Sequence, residues 1–210
     1  MKKNVKIGVI DYGVCNINSI VNMLKFLDFE TTVITQKSDF NHSDKIILPG
    51  VGSFDTGVKA LQKSNLFEKI INETLIQKKP ILGICLGMQL LGTKSEEGKL
   101  KGLNLIQGEL VKLSIPKSFD LKIPHMGWNY VKIQNQNNIC SFLPFKPRFY
   151  FTHSFHFKNL KKNEIIATTE HGIEIITIIA KNNIYGTQFH PEKSHKFGLS
   201  ILKAFGEKCA

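Results

Sequence analysis

Residues 80 to 91 read PILGICLGMQLL, and they constrain the fold more than any other stretch of the chain. KKPILGIC has the form of a short buried strand, and LGMQLLG the form of a helix that starts at once. Cys85 stands at the joint between Gly83 and Gly87. A sharp strand-to-helix turn forces the joint residue into a strained backbone conformation and lifts its side chain clear of a sheet. Small residues two positions before and after let strand and helix pack that closely, which is the G-x-nucleophile-x-G elbow with cysteine as nucleophile. The first N–H groups of the helix and its positive dipole end would then favour a thiolate. The competing reading is a buried cysteine used as a small apolar side chain. The pentapeptide alone leaves both open, so the partner residues must decide.

An elbow of this kind needs a parallel sheet around it, and the first half of the chain supplies one. Apolar runs at 5–10, 31–35, 45–49 and 80–84 read as strands. Between them, 18–27 carries Ile20, Met23, Leu24 and Leu27 on one helical face, and 67–77 reads as a second helix. That alternation implies parallel strands joined by right-handed crossovers. In the second half, strand-like pieces follow one another at LNLIQGELVKL, WNYVKI, RFYFTHSFHF, EIIATTE, IEIITIIA and NIYGTQFH. FGLSILKAFGE closes the chain as a helix. The expected fold is α/β: an open sheet with a parallel core, flanking helices and an antiparallel extension, in a single domain over 1–210. Loops at the carboxyl ends of parallel strands gather around a site. DYGVCN, PGVGSF and Cys85 lie at three such ends and should meet.

A cysteine nucleophile needs a base, and the base needs an orienting carboxylate. YGTQFHPEKS (185–194) supplies both. Pro191 disfavours a helical conformation at His190, so the chain stays extended there. Residues two apart in an extended chain face the same way, which sets Glu192 beside the His190 ring. The order cysteine, histidine, glutamate excludes the usual hydrolase order of nucleophile, acid, histidine. A cysteine peptidase remains as a rival, disfavoured because no long cleft is apparent.

G-I-C-L-G-M-Q together with H-P-E resembles the class I, triad-type glutamine amidotransferases. PGVGSF (49–54), PHMGWN (124–129) and YFTHSF (150–155) are similar to the glutaminase subunits of imidazole glycerol phosphate synthases. The resemblance runs from IDYGVCNINS to HPEKSHKFG. It implies the flavodoxin-like fold of that family and hydrolysis of glutamine by Cys85, His190 and Glu192 through a γ-glutamyl thioester. Leu86, immediately after the nucleophile, would give one oxyanion-hole N–H. The Val51–Gly52 peptide of PGVG would give the other. Gly52, Gln89, Glu97 and the His153–Ser154–Phe155 backbone would line the glutamine pocket, although Glu97 beside Glu96 reads equally well as a solvated pair. The family partner is a (β/α)8 barrel cyclase that binds PRFAR and yields imidazole glycerol phosphate and AICAR. The positions matching that interface are Asn16, Trp128, Tyr150 and Lys193, with core packing an equal reading for Trp128. No cofactor or metal is implied.

Two positions depart from the family pattern: Cys15 replaces a glycine in the first loop, and Asn104 replaces a glycine in GLN. Cys15 lies by the expected partner face. A paralogous role, handing ammonia to a sugar amidotransferase of surface-polysaccharide synthesis, is therefore an alternative, and a non-catalytic docking subunit is another.

The formal net charge of +11 raises the question of nucleic acid. Arg148 is the only arginine, however, and the lysines are scattered in ones and twos. A groove reader would cluster them among aromatics, so a solvated lysine-rich surface is the better reading. One basic face for an acidic partner remains compatible with it. The four cysteines form no CxxC pair and no metal-type spacing. With no leader peptide and no apolar run of membrane length, the expectation is a reduced, cytoplasmic protein.

Overall fold

The computed structural model describes residues 5–116 and 118–210. The charged start at residues 1–4, which bears on the question of a leader, lies outside them. The strands, in chain order, are β1 (Lys6–Ile10), β2 (Glu30–Ile34), β3 (Lys45–Gly50), β4 (Ile81–Cys85), β5 (Lys94–Ser95), β6 (Glu109–Lys112) and β7 (His125–Tyr130). They continue with β8 (Lys132–Ile133), β9 (Arg148–His153), β10 (Phe155–Lys158), β11 (Ile165–Glu170), β12 (Glu174–Lys181) and β13 (Ile184–Thr187). The α-helices are α1 (Asn18–Phe26), α2 (Phe54–Lys63), α3 (Phe67–Leu75), α4 (Leu86–Leu90) and α5 (His195–Glu207).

The main sheet has the order β2-β1-β3-β4-β13-β12-β11-β8. The first five strands in that order run parallel, and the last three pair antiparallel. Every residue of β3 and β4 is buried, and the pleat sends alternate side chains to opposite faces. Ile46, Leu48 and Ile81 join one apolar cluster with Phe54, Val58 and Leu61 of α2. Ile47, Leu82 and Ile84 join the other, with Ile20 and Leu24 of α1 and Leu202 and Phe205 of α5. Helices therefore cover both faces, as near-continuous apolar strands require. A small sheet β10-β6-β5 and a two-stranded ribbon β7-β9 stand outside the main sheet.

The expected alternation is present, with a few differences. Helix α2 has no counterpart among the sequence-based expectations, because Thr56 and Gly57 interrupt its pattern. Gly57 is there because α4 crosses closely: a β-carbon would come within 3.0–3.3 Å of Leu86 and Leu90. The run LNLIQGELVKL is strand only over β6. Leu103, Leu105 and Ile106 instead give their N–H groups to the carbonyls of Leu90 and Leu91. RFYFTHSFHF divides at Ser154, whose carbonyl accepts from Leu113 N–H at 2.8 Å, into strands of two different sheets.

Candidate active site

Cys85 ends β4 with φ +53° and ψ −109°, a left-handed conformation that costs a non-glycine residue on the order of 1–3 kcal/mol. The neighbouring glycines make the turn possible. A β-carbon on Gly83 would lie 2.7 Å from the backbone of Gly87 and Met88. One on Gly87 would collide with the Leu48 carbonyl of β3. The elbow is formed, but α4 is only five residues long, so its dipole is weaker than that of a full-length helix. Side chains hold the sulfur instead.

His190 supplies one of them. Its backbone is extended, with φ −99° and ψ 100°, and Pro191 then opens a short 3-10 turn over Pro191–Lys193. Glu192 thus reaches the ring from a turn rather than from an extended strand, and the pairing forms all the same. His190 Nδ1–H donates to Glu192 Oε1 at 2.7 Å. The peptide is pinned by His190 N–H to the Tyr150 carbonyl at 3.0 Å and by Ser194 Oγ–H to the His190 carbonyl at 2.6 Å. Among the described residues, Nε2 has no partner in hydrogen-bonding geometry, although the Cys85 sulfur is near enough to act on the ring. Burial works against the imidazolium, but Cys85 and Glu192 outweigh it and raise the His190 pKa to about 10. The ring therefore stays protonated at neutral pH, ready to give a proton to a leaving amine.

Gln188 supplies the other contact, and sequence reasoning missed it. Its Nε2 donates towards Cys85 Sγ at 3.8 Å, while its Oε1 accepts from Gln89 Nε2 at 3.2 Å. A signal was available: in an extended run, position 188 lies on the same side as His190.

A cavity of about 320 Å³ opens over the sulfur, at the small end of the range for ligand sites. It brings Val51, Gly52, Leu86, Gln89, Glu97 and the segment His153–Phe155 together with Cys85 and His190. Every expected oxyanion and pocket position is on that wall, and Pro124 and Thr152 join them. Glu97 is no idle member of a solvated pair: its Oε2 accepts the Phe54 N–H at the start of α2 at 2.8 Å. Glu96 Oε2 separately takes the Lys112 N–H at 2.8 Å. A larger cleft of about 800 Å³ lies between Asn129–Ile133, Pro144–Pro147 and Thr168–Glu170. It holds neither Cys85 nor His190, so the chemistry assigns the smaller cavity.

The donor of the Val51–Gly52 peptide is the Gly52 N–H; the Val51 N–H, one peptide earlier, is already engaged. It donates to the Val14 carbonyl of the first loop at 3.2 Å, and Tyr12 Oη–H binds the neighbouring Pro49 carbonyl at 2.8 Å. Gly52 takes φ +103°, a conformation that favours glycine. Leu86 is the first residue of α4, where its N–H has no intrahelical acceptor.

The three loops do meet. Behind Val51 and His190 a second chamber of about 300 Å³ is walled by Cys15, Asn16, Gly50, Glu192 and Lys193. Lys193 Nζ sits 5.5 Å over the Tyr150 ring. Trp128 is the register partner of Tyr150 across the β7–β9 ribbon and stacks on His195 with ring centroids 5.6 Å apart. At 43 % exposure Trp128 is not core. The departures from the family pattern are also accommodated. Asn104 adopts φ +54°, which asparagine tolerates. Its Oδ1 accepts from Thr93 Oγ1 at 3.1 Å and Gln107 Nε2 at 2.9 Å. Burial and the nearby Asp11 push the Cys15 pKa up to about 12, so it stays a thiol.

Comparison with known proteins agrees with this geometry. The family model for class-I glutamine amidotransferases matches residues 8–209. Imidazole glycerol phosphate synthase subunit HisH 2 of Methanococcus maripaludis is 46% identical over 200 residues, covering 95% of this chain and 98% of the relative. The Pseudomonas aeruginosa protein of the same name is 42% identical, covering 96% and 98%. Among solved structures, a putative GMP synthase subunit from Thermoplasma acidophilum has a TM-score of 0.73 at 22% identity, covering 98% of this chain and 94% of its own. PurLQS of Thermotoga maritima likewise has a TM-score of 0.73, at 18% identity with 97% and 98% covered. The latter two speak for the fold alone. With its elbow cysteine, paired histidine and matched length, this chain belongs to the class-I glutamine amidotransferase family.

Proposed function

We propose that this chain is the glutaminase subunit of an imidazole glycerol phosphate synthase, feeding ammonia to a (β/α)8 cyclase in histidine biosynthesis. The single observation that carries the chemistry is the buried Cys85–His190–Glu192 arrangement at the floor of a cavity sized for a small amide. Cys85 Sγ attacks the side-chain carboxamide of glutamine. The C–N bond of the tetrahedral adduct breaks as His190 gives its Nε2 proton to the nitrogen, and ammonia leaves. A water then gives a proton to His190 while its oxygen attacks the γ-glutamyl thioester, releasing glutamate and the thiolate. Glu192 keeps the imidazolium stable and aimed throughout.

The Leu86 N–H and the Gly52 N–H of the Val51–Gly52 peptide are the candidate oxyanion donors, whereas the Val51 N–H can join them only if the Gly50–Val51 peptide turns away from Val14. The chamber behind Val51 and His190, walled by Asn16 and Lys193, is the candidate exit for ammonia towards the face that carries Trp128 and Tyr150. The high identity to HisH relatives over nearly their whole length supports the histidine pathway. The excess of lysines supports docking of an acidic partner surface rather than nucleic acid.

A second reading, delivery to a sugar amidotransferase, is favoured by one observation. Cys15, where the family pattern has glycine, stands in the wall of the chamber that faces the partner. The chemistry is tested with Cys85→Ala: glutamine-dependent ammonia release should vanish while the fold persists. Activity within a few-fold of the unaltered chain would refute the assignment, and no ammonia from the unaltered chain with any candidate partner would leave a docking role. Adding each candidate partner to the same assay separates the pathways, since only the true partner should raise turnover.

A further inference from the structure

The hydrogen bonds that start at the Cys85 sulfur do not stop at Gln188. Gln89 Nε2 donates to Gln188 Oε1 and also to the Phe155 carbonyl, each at 3.2 Å. The same carbonyl accepts from His153 Nδ1 at 2.9 Å. A carbonyl cannot donate, so His153 carries its hydrogen on Nδ1 and presents Nε2 as an acceptor. The atom facing Nε2 is His125 Nδ1 at 3.0 Å, which must therefore be the donor. His125 Nε2 then accepts from Asn129 Nδ2 at 3.2 Å. Asn129 is held in one orientation: Nδ2 also donates to the Glu170 carbonyl at 2.8 Å, and Oδ1 accepts the Tyr130 N–H at 2.8 Å. Each member has one permitted tautomer or amide orientation.

We propose that His125 is a positioning residue for the substrate pocket: through His153 it fixes the Phe155 carbonyl and, with it, the Gln89 amide against which glutamine is held. This rests on the glutaminase reading above. His125 and His153 are register partners on β7 and β9, so the contact crosses the ribbon directly behind the pocket wall. The His125 ring is clamped between Phe151, with centroids 4.6 Å apart, and His171, at 4.2 Å. It cannot swing away. A second proton would set N–H groups head to head, on His153 Nε2 across the 3.0 Å contact with His125 and on His125 Nε2 across the 3.2 Å contact with Asn129.

The surroundings oppose such a proton. Burial, and secondarily His171, depress the His125 pKa to about 4. Burial is also the main cause for His153, lowered to about 3 despite the Phe155 carbonyl, with His125, His156 and His171 adding to it. His156 comes from β10 with Lys158 and Glu96 near it, and Glu97 and His190 face His153 across the cavity. The chain of bonds is thus neutral across the physiological range, and the pocket wall is set without regard to pH.

The test is glutamine KM and kcat between pH 6 and 8 for the chain with its partner, comparing the unaltered protein with His125→Phe and His125→Asn. Phenylalanine keeps the ring stack and deletes both nitrogens, whereas an asparagine amide can return a donor near the Nδ1 position. His125→Phe should raise KM about tenfold, as loss of a buried hydrogen bond allows, with kcat within about threefold. His153 Nε2, freed of its donor but still buried, should stay neutral, so the raised KM should be flat between pH 6 and 8. His125→Asn should restore a KM close to that of the unaltered chain and flat with pH. An unchanged KM in His125→Phe overturns the inference, as does an equal rise in both variants, which would mean packing only. If His125→Phe fails to fold, Asn129→Ala removes the donor that orients His125 and should raise KM with kcat within about threefold; an unchanged KM there overturns the proposal. No ammonia from the unaltered complex would overturn the glutaminase reading and this inference together.

Discussion

Glu192 aims His190 and, after Cys85, helps to raise its pKa, and this has a pH signature. The folded His190 pKa is raised to about 10, with burial opposing and Cys85 and Glu192 prevailing. A raised folded value means the stabilisation is complete below the ordinary histidine pKa and is lost as pH climbs through the folded one. Glu192→Gln removes the 2.7 Å carboxylate partner. The Tm advantage of the unaltered chain over this variant should be largest near pH 6 and shrink towards pH 10. A thermal-melt series in which the gap stays constant or widens would contradict the assignment. At this scale the sequence was legible wherever chemistry constrains residue type, as with Cys85, His190 and Glu192. Gln188 and His125 escaped because their roles come from contacts across strands. The amide of Gln188 meets Gln89 99 positions away, and nothing near either residue announces the other.

Among the elements, the elbow was legible because tight strand–helix packing admits only glycine at 83 and 87. Helix α2 was not, since Gly57 answers to the approach of α4 rather than to helix propensity, and the exposed Thr56 shares a hydrogen bond with Ser53 Oγ. The PGVG segment shows the limit of local reading. Its glycines allow the Val51 peptide to turn, but which way it faces is decided by the first loop. Two bonds hold it there, Tyr12 Oη–H to the Pro49 carbonyl at 2.8 Å and Val51 N–H to the Val14 carbonyl at 3.2 Å. Tyr12→Phe deletes the first with little change of shape. It should cost about 0.5–1.5 kcal/mol of stability and raise partner-free glutamine turnover, because the restraint on turning is weaker. Urea unfolding and an ammonia assay on the isolated chain check both parts. Turnover equal to or below that of the unaltered chain would show that Tyr12 does not restrain the peptide.

In the whole molecule, the alternation of the first half announced a parallel core with helices on both faces. The placement of β13 beside β4 was beyond local reading. It joins residues about a hundred positions apart, with Thr187 in register with Ile84. That pairing brings His190 to the cysteine, so the sequence offered the candidate residues without showing what carries them together. In the proposed site the Gly50–Val51 peptide is decisive: the Val51 N–H, a candidate oxyanion donor, is bound to the Val14 carbonyl at 3.2 Å. Losing one such donor typically costs ~2.7–4 kcal/mol, about a hundred- to thousand-fold in turnover. A partner can supply the difference only if its ligand-bound form favours the turned peptide. The most direct test measures glutamine turnover by this chain alone, with the proposed cyclase partner, and with that partner plus the cyclase substrate, each beside Cys85→Ala. The account predicts slow turnover alone, a rise of about two to three orders of magnitude in the liganded complex, and none from Cys85→Ala in any state. Full turnover by the isolated chain, or ammonia release that survives Cys85→Ala, would contradict it.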